Sequence, residues 1–269
     1  MINRVRPQAQ GLYDPQQEHD VGGMGLVADI QGRRSHDIVQ QAIQLLRKLA
    51  HRGDLSIDMP GSGDGAGLLM QIPHRFFAGE CAKLGFALPG AGEYGVAMLF
   101  LPKEAEVRAK IEQLMERVVR EAGQQVLGWR TVPVNSSVLG QLSRSTEPFI
   151  RQLFVGRSED MPDALTFERT LYLIRKRAEQ EAAREGWAMD CASFSSRTIV
   201  YKGMLKPVQV DVYYPDILEP AVESALALVH FRAGTSPTAS WAKAHPHRLL
   251  AYDGVPAALG GHLDAFQAR

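Results

Sequence analysis

The chain has 269 residues, of which 30 are lysine or arginine and 30 are aspartate or glutamate, so its formal net charge is zero. A neutral chain offers no electrostatic attraction to nucleic acid or to an anionic membrane, and we expect neither as a partner. Apolar runs such as 95–102 are too short to span a bilayer, and the N-terminus lacks the apolar core of a secretory signal. The chain has only two cysteines, Cys81 and Cys191. With the absence of a signal, this low number predicts a cytoplasmic protein with free thiols, and a disulfide is the less favoured alternative.

The first predicted elements are a leader, a strand and a helix. Residues 1–20 are polar and contain two prolines, which indicates an extended leader outside the first element. The glycine-rich stretch 18–30 predicts the opening of a buried strand. Ser35 is typical of a helix N-cap, and the apolar residues of 38–50 recur on one helical face.

Strand and helix signals continue along the rest of the chain. Strands are predicted at 68–73, 94–102 and 124–134, as a pair or one bent strand in 191–203, and within 223–234. Helices are predicted at 74–85, 104–122 and 165–185, the last capped by Asp163, while 147–155 suits either a strand or a short helix. Because the strands arrive in pairs between helices, the pattern favours a layered α/β arrangement with mixed sheets over a strictly alternating one.

The sequence contains few motifs that indicate a particular chemistry. The glycine-rich stretch 61–67 lacks the Lys–Ser/Thr that ends a phosphate-binding P-loop, so a tight loop is the better interpretation. His245 and His247 lie close together, but the sequence offers no evident third ligand, and we predict no metal site. Ser195 and Ser196 lie outside any G-x-S-x-G nucleophile motif.

Several long segments nevertheless resemble one family. The segments "LYDPQQEHD", "SHDIVQQAIQLLRKLAHRG", "GDGAGLLMQIPHRFF", "LGWRTVPVNSSVLG", "SSRTIVYKGML" and "ESALALVHFR" occur in the order found at the start of the glutamate synthase large subunit. The resemblance implies a class-II glutamine amidotransferase with a four-layer α/β/β/α fold of the N-terminal-nucleophile type. It would cover residues 21–269, be shorter at its C-terminus than the family's glutaminase domain, and need no cofactor.

In this chain, some residues at the family's active-site positions differ from the family's pattern. In the family a cysteine thiolate attacks the glutamine side-chain amide, and the resemblance places Gly22 at that position. The family's asparagine of the oxyanion hole corresponds to Asp253, whose carboxylate would repel the developing oxyanion, and the adjacent Gly254 retains its N–H. The arginine that holds the substrate carboxylate corresponds to Arg232.

These departures leave three hypotheses, so the sequence does not settle whether the chain is an enzyme. The favoured one is a pseudoenzyme of nitrogen metabolism, impaired in glutamine hydrolysis. It would act as a binding or regulatory module that holds glutamine or a related amino acid through Arg232, or docks on a glutamate synthase-type subunit. The alternative is an active amidotransferase subunit that releases ammonia from glutamine for a separate synthase chain. The third is a structural remnant without a ligand.

Overall fold

The computed structural model describes residues 22–50, 63, 65–232 and 240–247, and within them eight strands form two antiparallel sheets. The first sheet contains, in spatial order, β1 (Gly22–Ala28), β8 (Leu226–Arg232), β2 (Ala66–Gln71) and β7 (Thr198–Gly203). The second contains β4 (Gln125–Thr131), β5 (Phe149–Gly156), β3 (Tyr94–Leu101) and β6 (Asp190–Ser195).

Six helices connect or cover these strands in the same ranges. They are α1 (His36–Leu49), α2 (His74–Lys83), α3 (Ala105–Glu121), α4 (Gln141–Ser145), α5 (Ala164–Arg184) and α6 (Val210–Tyr213). The predicted caps are confirmed, because Ser35 accepts a hydrogen bond from the Ile38 N–H and Asp163 accepts one from the Thr166 N–H. None of the described helices is long and apolar enough to cross a membrane.

The two sheets stack between layers of helices. Helix α1 packs on β1 and β8, whereas α3 and α5 pack on the second sheet. Strand β3 is buried on both faces: Val96, Met98 and Phe100 join the core between the sheets, and the alternate residues join the core under α3 and α5. The expected four-layer α/β/β/α order is therefore confirmed.

A buried polar network ties the second sheet to the segment after α6. Arg130 on β4 donates to both carboxylate oxygens of Asp216, over 2.7 and 2.8 Å, and to the side-chain oxygen of Gln152 over 3.0 Å. The Tyr201 hydroxyl, from the first sheet, donates to the same carboxylate over 3.1 Å. The Glu80 carboxylate of α2 also accepts a hydrogen bond from Arg130, over 3.1 Å. Arg130 and Asp216 are each 4% exposed, so this buried ion pair relies on these hydrogen bonds in place of water.

The structure corrects one sequence expectation and settles two others. The first strand is not buried on both faces: Met24 and Leu26 lie on its face away from α1 and are 45% and 61% exposed. Residues 149–156 are a strand, and 191–203 holds two strands, β6 and β7, that belong to different sheets. Residues 1–21 lie outside the described residues, so the leader stays a prediction.

Candidate functional site

The start of β1 lies directly opposite the end of β8. Gly22 is the cross-strand partner of Arg232, and residues paired in this way in an antiparallel sheet have Cα atoms about 4.5–5.5 Å apart. A Cβ atom added to Gly23 would meet the Phe231 ring and the Leu49 side chain of α1. Because side chains alternate along a strand, positions 22 and 232 lie on the opposite face of the sheet from α1.

This register brings two of the four predicted site residues together. Arg232 is half-buried, and its backbone N–H donates to the carbonyl of Gly65 over 2.8 Å. Asp253 and Gly254 lie outside the described residues, so their part in an oxyanion hole stays a prediction. The described half of the site therefore consists of a position without a side chain beside an arginine.

The segment 240–247 packs against the first sheet at two glycines, of which Gly203 shares the α1 face with Phe231 in the register. A Cβ atom on Gly203 would come within 2.3 Å of the Trp241 ring, and one on Gly65, whose φ is +136°, would come within 2.9 Å of the Ala244 Cα. The Trp241 indole N–H donates to the carbonyl of Ser143 over 3.2 Å. These close approaches position His245, which precedes a cis peptide bond, over the sheet.

Three histidines meet where this segment crosses β8. His230 Nε2 and His245 Nδ1 lie 3.0 Å apart and share a hydrogen bond, and the rings of His245 and His247 are 4.5 Å apart between centroids. Burial, then the neighbouring His247, lowers the pKa of His230 to about 4. Burial, then the surrounding histidines and cations, lowers the pKa of His245 to about 3. Both rings are therefore neutral at pH 7.

Sequence analysis singled out His245 and His247 but missed His230. The missed signal is its position two residues before Arg232, which places both side chains on one face of a strand. The Nδ1 atom of His230 is buried, and no described residue offers it a hydrogen bond. Within the described ranges no group of three histidine, cysteine, aspartate or glutamate side chains is arranged to hold a metal ion.

A buried lysine, also missed in the sequence, adds a second cation to this face. Lys202 on β7 is 1% exposed, and its ammonium donates to the Ala242 carbonyl over 2.7 Å. Gly67 lies between Lys202 and His230 in the register of the sheet, and a Cβ atom there would meet Lys202. Two cations beside neutral imidazoles favour an anionic group such as a carboxylate on this face.

Neither cysteine of the chain can replace a thiol at position 22. Cys81 lies in α2, where burial raises the pKa of its thiol to about 12, so it stays protonated at neutral pH. Cys191 lies on β6 in the second sheet and donates to the Ser193 carbonyl over 3.3 Å. Both thiols are buried and neither forms a disulfide, as the composition predicted.

Comparisons with known proteins agree with this geometry. The family model for class-II glutamine amidotransferases matches residues 22–269. Over its full length the chain is 47% identical to the glutamate synthase [NADPH] large chain of Bacillus subtilis, and the match covers 18% of that protein. Over 98% of its length it is 40% identical to the glutamate synthase [NADH] of Saccharomyces cerevisiae, and this match covers 13% of the yeast protein. Over 98% of its length the chain is also 36% identical to ferredoxin-dependent glutamate synthase 1 of Arabidopsis thaliana, and the match covers 16% of that protein.

The chain thus spans less than a fifth of the length of these relatives. The family model covers far more than half of the chain, and the antiparallel sheets between helices fit its architecture. The expected resemblance to glutamate synthase is confirmed by these identities. On the fold and the matched residues together, the chain belongs to the class-II glutamine amidotransferases.

Proposed function

We propose that this chain binds glutamine or a related amino acid without hydrolysing it, as a binding or regulatory module. The observation that carries the proposal is the pairing of Gly22 with Arg232. The arginine is retained on the face where the family holds its substrate carboxylate, but the residue opposite it has no nucleophilic atom. A site of this composition keeps the means to bind an α-amino acid and loses the means to form a thioester.

The surroundings of Arg232 support a bound polar ligand. The buried His230 Nδ1 atom has no hydrogen-bond partner among the described residues, and a buried polar atom in that state costs about 1–3 kcal/mol. A ligand amide or amino group would satisfy it. The carboxylate of the same ligand would accept bonds from the Arg232 guanidinium, whose planar fork fits a carboxylate bidentately.

The relatives support a proposal for the protein partner. The matched proteins are named as glutamate synthases, and each is more than five times as long as this chain. We therefore propose a glutamate synthase-type subunit as the protein partner. The cytoplasm is proposed as the location from the low cysteine content, which is typical of a reducing compartment. In this arrangement amino-acid binding would report nitrogen supply to the partner, and no ammonia would be delivered.

The binding test is a calorimetric titration of the purified chain with glutamine and, in parallel, with glutamate. We expect saturable binding that is lost in Arg232→Ala and weakened about tenfold or more in Arg232→Lys, because an ammonium cannot form the bidentate pair. The matched control is Arg33→Ala, an exposed arginine that pairs with Asp29 at the other end of β1. Absence of binding to a folded wild-type chain, or equal loss in the control, would refute the proposal.

Ammonia release distinguishes this proposal from the active amidotransferase. We expect no glutamine-dependent ammonia from the wild-type chain above a heat-denatured control. We also expect that Gly22→Cys, with residues 1–21 removed to expose the cysteine amine, will not reach full activity, because Asp253 still replaces the oxyanion donor. Loss of one such donor costs about 2.7–4 kcal/mol of transition-state stabilisation. Robust turnover by the wild-type chain would establish the alternative, and robust turnover by Gly22→Cys would show that Asp253 does not impair the site.

A further inference from the structure

A cavity of about 400 Å³ opens at the end of the sheets away from Gly22. It is lined by the last residue of β2 (Gln71), the first residues of β7 and β8, the start of β3 and the start of α2. The six residues of β2 run from this end toward the Arg232 site, and a strand rises about 3.3 Å per residue. The cavity therefore lies about 20 Å from Arg232 and is a separate site.

Charge of one sign lines this cavity. Arg34, Arg197 and His74 contribute basic side chains, and no aspartate or glutamate is among the described lining residues. Neither arginine forms an ion pair with any described residue. The adjacent Arg33 provides a contrast, because it is not part of the lining and pairs with the Asp29 carboxylate over 2.9 Å. Two guanidinium groups left unneutralised around a concave surface attract an anion.

The inner wall of the cavity is built from positioned polar groups. Tyr94 is 1% exposed, and its hydroxyl lies 3.1 Å from His74 Nδ1. Burial raises the pKa of Tyr94, so the hydroxyl keeps its proton and can donate. One terminal nitrogen of Arg34 donates to the Ile72 carbonyl over 3.1 Å, which fixes the guanidinium at the rim and leaves its other N–H groups available.

Helix α2 adds to the positive character of this wall. The helix begins at His74, its N-cap residue Pro73 makes no side-chain cap, and no acidic residue occupies its first turn. The free N–H groups and the dipole at such an end favour a negative charge. The carboxylate of Glu168, by contrast, accepts hydrogen bonds from Ser195 and Ser196 and does not line the cavity.

We propose that this cavity binds the phosphate group of a phosphorylated small molecule. The guanidinium groups of Arg34 and Arg197 take the phosphate oxygens, since their planar forks match phosphate geometry, and the Tyr94 hydroxyl and His74 bind the inner side. The volume is much larger than a phosphate ion and lies in the range of small-molecule sites, so the organic part of the ligand occupies the remainder.

The test is a calorimetric titration at fixed ionic strength with ribose 5-phosphate, inorganic phosphate and ribose. We expect saturable binding of ribose 5-phosphate, weaker binding of phosphate and none of ribose. Arg197→Ala should weaken binding about tenfold or more, because it removes one of the two guanidinium groups that bind the phosphate oxygens. The side chain of Arg197 is exposed, so the variant should fold, which circular dichroism and a thermal transition will check.

Arg33→Ala is the matched control and should leave the affinity unchanged. Absence of saturable binding by ribose 5-phosphate would overturn the proposal, and so would equal weakening in Arg33→Ala and Arg197→Ala, which indicates non-specific attraction. Phosphate binding as tightly as ribose 5-phosphate would overturn the assignment to an organic phosphate. Arg232→Ala should leave this titration unaffected, so failure here is distinguishable from failure of the amino-acid site.

Discussion

Acidification should loosen the contact between His245 and the first sheet. His245 is 1% exposed, and its pKa is lowered from 6.5 to about 3, mainly by burial. The pKa of its partner His230 is lowered from 6.5 to about 4, also mainly by burial. Because the folded state holds both rings neutral, protons bind preferentially to the unfolded chain below pH 6.5. The stability is therefore complete above this pH and is lost as the pH falls toward 4.

The size of the effect follows from these values. A pH of 5 lies about 1.5 units below the pKa of an ordinary histidine, and each unit corresponds to about 1.4 kcal/mol. Each buried neutral ring therefore lowers the free energy of unfolding at pH 5 by about 2 kcal/mol. His245→Gln removes one titrating group and keeps a polar side chain. We expect the loss of stability between pH 7.5 and pH 5 to be about 2 kcal/mol smaller in this variant than in the wild type.

Urea unfolding followed by tryptophan fluorescence at the two pH values measures this difference, because Trp241 lies in the same segment as His245. Ser240→Ala is the control, since it changes the segment and keeps both histidines. An equal loss of stability in the wild type and His245→Gln would refute the reasoning and would mean that the His245 ring is protonated at little cost in the folded chain. A reduced loss in Ser240→Ala would assign the effect to the segment itself.

Three further predictions concern stability alone. Gly203→Ala should destabilise the fold by about 1–3 kcal/mol in urea unfolding and change Trp241 fluorescence, because the new Cβ would lie 2.3 Å from the indole ring. Asp216→Asn should lower the urea midpoint, since it removes the bidentate anion of the buried Arg130 guanidinium and leaves Glu80 as its one carboxylate partner among the described residues; an unchanged midpoint would mean that Glu80 and solvent compensate for the loss. Asp163→Ala should lower the urea midpoint through loss of the α5 cap, and Asp163→Asn, which keeps an acceptor, should lower it less.

Most elements could be predicted from the sequence because their causes are local. Ser35 and Asp163 accept hydrogen bonds within their own first turns, so a helix start depends on residues three positions apart. The spacing of apolar residues at three and four positions predicted the helix at 104–122, and the continuous apolar run predicted the strand at 94–102. These signals require no knowledge of the rest of the chain.

The environment of β1 could not be predicted in the same way. Its composition suits a buried strand, yet Met24 and Leu26 are exposed because they lie on the face away from α1, in a strand that is at the end of its sheet in the described residues. Sheet order depends on pairing between segments about 200 residues apart, as Gly22 and Arg232 are. Residues 191–203 illustrate the same limit, since two strands joined by a short turn pair in different sheets.

The sequence alone determined which atoms are present: position 22 has no thiol, and position 232 has a guanidinium. These identities, with the resemblance, were sufficient to name the family and to question its hydrolytic chemistry. Only the tertiary structure decided which groups meet. His230 contacts His245, fifteen positions later in the sequence. Arg34 and Arg197, 163 positions apart, line one cavity because the end of β2 and the starts of β7 and β8 meet there. The sequence states which residue occupies each position. Which distant residues contact one another depends on long-range packing, which local sequence patterns do not encode.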